Sequence, residues 1–165
     1  MNVVADSSPL ILLSKTGYFD LLKNLYPRIH ISGEVYAEVV VLGAGLPGAS
    51  KVANADWIEV KQLQKPGDLT AAEVASGLVQ ASSARFSLGK RSRPSWRLID
   101  DLRARQLARK EGFEVRGSVG LIQLLYRRSH LADLRAAYRL LLESNAYIDR
   151  VILDRRLISH GLRPL

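Results

Sequence analysis

Short apolar runs alternate along the chain with longer segments in which apolar residues recur at helical spacing. The first run is apolar on both faces, as expected of a buried central strand in a parallel sheet. The third run alternates apolar and polar residues, which predicts a strand with one wet face. Five runs are predicted strands: "NVVA" (2–5), "RIHI" (28–31), "WIEVKQL" (57–63), "WRLI" (96–99) and "FEVR" (113–116).

Helical periodicity fills the intervals between these runs. Pro27 ends the second helical segment, and Gly112 follows the fifth as a helix C-cap. Strands that alternate with helices predict an α/β fold, here a parallel sheet of four to five strands with helices on both faces and a helical C-terminus, in a single domain over 1–165. The predicted helices span 9–14, 18–25, 33–42, 70–81, 101–111, 118–129, 131–144 and 149–160.

The chain contains no cysteine, which excludes a disulfide scaffold, a thiolate metal site and a cysteine nucleophile. Its N-terminus lacks the basic and apolar regions of a signal peptide, and no apolar stretch approaches the roughly 20 residues of a membrane span. We therefore expect a cytoplasmic protein that does not enter a membrane.

Basic residues outnumber acidic ones, 24 to 16, which gives a formal charge of +8. Such an excess favours a nucleic-acid partner, because neutralised phosphates release counterions. An acidic protein that covers the basic face is an alternative, and so is plain solubility. The segment "RFSLGKRSRPSWR" (85–97) suits contact with RNA phosphates and bases or, alternatively, a solvated insertion, and its candidate binding residues are Arg85, Lys90, Arg91, Arg93 and Trp96.

Acidic residues follow two of the predicted strands. Asp6 comes after the first strand, and Asp100 and Asp101 come after "WRLI". Ligands of open α/β sheets gather beyond the carboxyl ends of strands. Each acid also suits a helix start, and the stretch 6–9 places Ser8 before a proline at a first helical position, so capping is an alternative.

Two further acids lie on predicted helices. Glu38 stands four residues after Glu34, a like-charge pair that a nearby cation would stabilise. Glu73 belongs to "TAAE", which also fits a capping box. Carboxylates that converge from separate elements favour Mg²⁺ or Mn²⁺, which prefer oxygen ligands and activate water for phosphodiester hydrolysis.

Other motifs fail their structural context. "GAGLPG" (43–48) matches a dinucleotide fingerprint, but it follows a helical pattern and contains a proline, so we predict a turn. His30, His130 and His160 show neither ligand spacing nor a nearby carboxylate. We expect surface or half-buried positions for them.

The order of these acids resembles the PIN-domain ribonucleases, and among them the VapC-like toxins of bacterial toxin–antitoxin pairs. The first segment that carries the resemblance spans 6–26 and opens Asp-Ser-Ser-Pro-Leu-Ile. The others are "ISGEVYAEVV" (31–40), "GAGLPGASKVANADWIEVK" (43–61) and "LIDDLRARQLARKEGFEVRGSVGLI" (98–122).

The resemblance implies a metal-dependent endoribonuclease restrained by a small antitoxin protein, and relatives often form homodimers. It implies Mg²⁺ or Mn²⁺ held by Asp6, Glu38, Glu73 and Asp100, with Asp101 as an auxiliary ligand or a substitute for its neighbour. Ser7 and Ser118 match small hydroxyl residues beside the metal cluster. Arg105 matches the arginine that follows the fourth motif.

The third motif departs from the family pattern, because "AAEVAS" has alanine before Glu73 and at the position of the partner acid. The basic stretch around 85–93 also lengthens the spacing to Asp100. These departures favour an alternative function, a catalytically weakened RNA-binding or protein-interaction module. RNA binding by such a module would survive Asp6→Asn and weaken with salt.

Overall fold

The computed structural model describes residues 3–61, 96–144 and 146–165. Five parallel strands form one sheet in the order β3-β2-β1-β4-β5, so the predicted fold class is confirmed. Every strand coincides with a predicted apolar run to within about two residues. The strands are β1 (Val3–Ala5), β2 (Ile29–Ser32), β3 (Ile58–Lys61), β4 (Trp96–Leu98) and β5 (Glu114–Arg116).

Eight α-helices accompany the sheet in the described part of the chain. They are α1 (Ser7–Lys15), α2 (Leu22–Leu25), α3 (Gly33–Tyr36), α4 (Pro47–Asn54), α5 (Leu102–Lys110), α6 (Ser118–Arg127), α7 (Leu134–Glu143) and α8 (Arg150–Ser159). A 3₁₀ turn (Phe19–Leu21) precedes α2, and a π-helical turn (Ala37–Val41) follows α3. The predicted helix at 70–81 and the basic segment up to residue 95 lie outside the described residues.

Three local predictions need correction. The first helix begins at Ser7 with Asp6 as its N-cap, two residues before the predicted start. The predicted helix 33–42 divides into α3 and the π-helical turn, in which the Leu42 amide donates to the Ala37 carbonyl at 2.9 Å. The sequence patterns also missed α4, which begins at Pro47 inside the stretch 43–48 that they assigned to a turn, because most of its residues are small or polar.

The core lies on both faces of the sheet. The larger cluster packs α1 and α6 to α8 against one face, with Leu13, Leu121 and Tyr138 fully buried. On the other face, Ala104 and Ala108 of α5 pack with Ile99.

Burial raises the pKa of Tyr138 to about 12, so its phenol stays protonated beside the Val119 carbonyl of α6.

The prediction for His30 is also wrong. It is buried in β2 and has a carboxylate beside it, whereas a surface or half-buried position without such a neighbour was expected. The sequence patterns gave it no such neighbour, but parallel pairing sets it opposite Glu59 of β3. The distance from His30 Nδ1 to Glu59 Oε2 is 3.2 Å, and Arg28 contacts the other carboxylate oxygen at 2.6 Å. Only the sheet register brings these residues together.

Candidate functional site

The order in which the chain adds strands to the sheet reverses between β1 and β4. From β1 the chain adds β2 and β3 on one side, and it then returns to place β4 and β5 on the other side. Such a switch point opens a crevice beyond the carboxyl ends of the two strands. Ala5 pairs with Leu98 there, and the Asp6 amide donates to the Leu98 carbonyl at 2.9 Å. The backbones that bear Asp6 and Asp100 are therefore neighbours.

Asp6 serves as the N-cap of α1. Its Oδ1 accepts hydrogen bonds from the Ser7 amide at 2.7 Å and from Ser7 Oγ at 3.3 Å. Ser7 is buried, and its hydroxyl faces the carboxylate at the switch point. The capping alternative is thus correct for Asp6, whose carboxylate lies at the carboxyl end of β1.

Asp100 is held by Ser118, the first residue of α6. Asp100 Oδ1 accepts from the Ser118 amide at 2.7 Å, and Asp100 Oδ2 accepts from Ser118 Oγ at 2.6 Å. Ser118 is fully buried, so it orients Asp100 from the interior of the protein. A carboxylate offers about four lone-pair sites, and these two bonds leave others for a further ligand.

Gly117 allows Asp100 to approach the backbone at the start of α6 closely. A Cβ built on Gly117 would lie 2.8 Å from Asp100 Oδ1 and 3.2 Å from the Ile99 carbonyl oxygen. The residue has φ −95° and ψ 175°, so close approach rather than an unusual backbone makes glycine necessary. The same space borders Arg105, since that Cβ would lie 3.4 Å from Arg105 Nη1.

Asp101 lies next to Asp100 in sequence but has a different local role. It is the N-cap of α5, and its Oδ1 accepts from the Ala104 amide at 2.7 Å. Both aspartates line the same cavity. The predicted auxiliary metal role of Asp101 stays a prediction.

Of the other two predicted metal ligands, Glu38 lies within the described residues and Glu73 does not. Glu38 is exposed on the π-helical turn that follows α3. In residues 3–61, 96–144 and 146–165, no three His, Asp or Glu side chains form a group that could hold a metal ion. Glu73 lies outside the described residues, so the predicted set of four ligands stays a prediction.

A cavity of about 920 Å³ extends from Asp100 across α5 and α6 to the segment before α8. Arg105 lines it, and Arg105 Nε, although shielded from solvent, has no hydrogen-bond partner among the described residues. Six basic side chains line this cavity against three acidic ones, Asp100, Asp101 and Asp149. The basic residues are Lys15, Arg105, Arg109, Arg116, Arg127 and Arg156.

Trp96 lies away from this cavity. It begins β4, whereas Asp100 follows the other end of that strand. The Arg116 guanidinium carbon lies 4.3 Å from the centroid of its ring, and Trp96 packs against the main core. The structure therefore does not bring Trp96 to the carboxylates. The other basic candidates, Arg85, Lys90, Arg91 and Arg93, lie outside the described residues.

Of the basic residues that line the cavity, sequence reasoning found only Arg105. Arg109 could have been found, since it follows Arg105 by one helical turn in "DLRARQLARKE". Lys15, Arg127 and Tyr147 come from three further elements, and no spacing in the sequence connects them. Only the packing of those elements places them on one wall.

The chain matches a family model, DUF3368, described as a PIN domain, over residues 2–161. Neither curated proteins nor solved structures gave a significant match. Because the family match spans nearly the whole chain, the protein belongs to this family of PIN domains. PIN domains are typically nucleases that use divalent metal ions. In the described part of the chain, no helix has the length and apolar character needed to cross a bilayer.

Proposed function

We propose that this PIN domain is an endoribonuclease that hydrolyses RNA phosphodiesters with Mg²⁺ or Mn²⁺, and that it is the toxin of a type II toxin–antitoxin pair. The observation that carries the catalytic proposal is that Asp6 and Asp100 follow the adjacent ends of β1 and β4, and that Asp100 lines a cavity with an excess of cations.

The donor atoms fit a hard divalent cation. Asp6 and Asp100 would supply carboxylate oxygens from the adjacent ends of β1 and β4, and Ser118 fixes the orientation of Asp100. Mg²⁺ is usually bound by one or two carboxylates together with waters and substrate phosphates, so two carboxylates suffice as the protein's part. When bound, such an ion would activate water and offset charge on the phosphodiester.

Arg105 supports the substrate side of this proposal. Its guanidinium lies beside the space that also borders Asp100. A planar guanidinium suits two parallel hydrogen bonds to a phosphate. We assign Arg105 to binding of the phosphate next to the scissile bond.

The catalytic proposal is tested with Asp6→Asn and Asp100→Asn. Asparagine caps helices as well as aspartate does, so Asp6→Asn preserves the start of α1 while it removes the charge. We expect wild-type protein to cleave single-stranded RNA with Mg²⁺ or Mn²⁺, to stop with EDTA, and each variant to lose cleavage with its thermal midpoint nearly unchanged.

Asp20→Asn is the matched control. Asp20 is an exposed aspartate whose ion pair with Lys51 lies outside the cavity. Exposed pairs contribute about 0–1 kcal/mol, so this variant keeps both fold and cleavage. Cleavage that persists in Asp6→Asn and Asp100→Asn would overturn the catalytic proposal.

The toxin assignment is supported by the resemblance of residues 6–11 to the VapC-like opening, which also implies an antitoxin partner and a homodimer. It is tested in cells. We expect induced expression to arrest growth, Asp6→Asn to abolish the arrest, and co-expression of a short neighbouring reading frame to relieve it. Growth that continues during expression of an active nuclease would contradict the toxin role.

The excess of cations in the cavity also supports a second function, RNA binding without cleavage, because these residues bind phosphate independently of the carboxylates. In that case Asp6→Asn leaves RNA affinity unchanged, no cleavage occurs with any divalent ion, and affinity falls steeply with salt. Cleavage by the wild type decides between the two functions.

A further inference from the structure

Tyr147 lies between α7 and α8 and projects into solvent at the wall of the cavity. Its relative exposure is 109%, whereas the next residue, Ile148, packs against the main core. The ring therefore contributes no burial to the fold. The same cavity is also lined by Asp100.

The backbone holds Tyr147 in one place. The Ile148 amide donates to the Ala146 carbonyl at 2.8 Å, which makes Tyr147 the central residue of a three-residue turn. On the C-terminal side, Asp149 caps α8 and accepts from the Val151 amide at 2.8 Å. Because the turn already restricts the backbone, less conformational entropy is lost when the ring binds a partner.

The surroundings of Tyr147 indicate which partner it would bind. Six cations against three carboxylates give the cavity wall a net positive charge. In the described part of the chain, none of the cations Lys15, Arg105, Arg109 and Arg127 is in an ion pair. Sites for single-stranded nucleic acid combine such a positive groove with aromatic rings on which bases stack.

We propose that Tyr147 is a base-stacking residue: single-stranded RNA enters the cavity with its phosphates along the arginines, and one nucleobase stacks on the Tyr147 ring. The identity of the ligand as RNA rests on the proposed function. The stacking role adds a contact on the α7–α8 connection and makes that connection part of the substrate site.

The test measures binding in the Asp6→Asn background, where RNA stays intact. Fluorescence anisotropy with a short labelled single-stranded RNA gives the Kd. We expect Tyr147→Ala to raise the Kd about tenfold, since a stacked base typically contributes that much, and Tyr147→Phe to stay within about twofold. Ile158→Ala is the control, because Ile158 is 60% exposed on α8 and lies outside the cavity.

Salt dependence separates stacking from phosphate contact. Tyr147→Ala keeps the wild-type slope of log Kd against log salt, while Arg127→Gln reduces that slope by about 0.7. In the cleaving enzyme, Tyr147→Ala raises KM with little change in kcat.

Three results would overturn the inference, and they differ in what they imply for the proposed function. If Asp6→Asn protein binds RNA and Tyr147→Ala binds it equally well, the stacking role is wrong while the proposed function survives. If the protein binds no RNA, both are wrong. A Tyr147→Ala variant with unchanged RNA affinity but altered sedimentation would assign the ring to a protein interface and contradict the inference.

Discussion

Ser118 donates two hydrogen bonds to Asp100, one to each carboxylate oxygen, from its amide at 2.7 Å and its hydroxyl at 2.6 Å. The two residues are 18 positions apart, and they meet because α6 begins where β5 ends beside β4. The start of α6 thus fixes the orientation of a carboxylate that follows a different strand.

Removal of the Ser118 hydroxyl should impair catalysis more than substrate binding. Ser118→Ala leaves only the hydrogen bond from the backbone amide of residue 118 to Asp100, so the carboxylate gains rotational freedom. Loss of a partner that orients a metal ligand typically costs about 10–100-fold in activity or metal affinity. We expect a fall in kcat and a higher Mg²⁺ or Mn²⁺ requirement, measured in RNA cleavage assays.

Ser118→Thr keeps the hydroxyl and should restore most of this activity. Ser50→Ala, at an exposed position of α4, is the control and should behave as wild type. Full activity of Ser118→Ala at a low metal concentration would show that Asp100 needs no such support.

Gly117→Ala should abolish cleavage, whereas Gly112→Ala should lower stability and leave cleavage intact. A Cβ at Gly117 would press on Asp100 Oδ1 at 2.8 Å, so this change displaces the carboxylate and abolishes cleavage. Gly112 has φ +85° and no atom within 4 Å of such a Cβ. Alanine there costs about 1–2 kcal/mol of stability through its backbone and leaves cleavage intact. Thermal unfolding and cleavage assays on both variants check this contrast.

Substitutions of the adjacent residues Asp100 and Asp101 should have different effects on cleavage. Asp101→Ala removes the N-cap of α5 and should lower stability by about 1 kcal/mol, while Asp101→Asn retains the cap. If Asp101 acts mainly as a cap, Asp101→Asn keeps cleavage where Asp100→Asn loses it. Loss of cleavage in Asp101→Asn with a normal thermal midpoint would instead support the auxiliary metal role.

His30 should make the protein less stable in mild acid. Burial lowers the pKa of His30, the nearby Lys61 and Arg28 lower it further, and Glu59 opposes them. The native state then binds fewer protons than the unfolded state below about pH 6.5, the ordinary value. Stability is therefore fully present above that pH and falls as the pH drops toward the folded-state pKa.

Urea denaturation between about pH 7.5 and pH 5 measures this slope. His30→Phe should flatten it, and His130→Gln, at an exposed position, should not. An unchanged slope in His30→Phe would assign the acid sensitivity to other groups.

The sheet was predictable because its strands carry a strong local signal. The run that ends at Ala5 is apolar on both faces, and burial in a parallel sheet requires that pattern. The start of α1 and the existence of α4 were harder, since Asp6 and Ser8 both suit a cap and α4 consists mostly of small or polar residues. Asp6 and Asp100 were candidates because acids beyond strand ends are positioned for ligands.

By itself, the sequence determined the strands, most of the helices and the two carboxylates at strand ends, since these depend on residues close together in the chain. Only the tertiary structure decided that Ser118 holds Asp100, that His30 meets Glu59, and that Tyr147 lies on the same cavity as Arg105. Those contacts join elements whose relative positions depend on sheet order and helix packing, and no local periodicity encodes either.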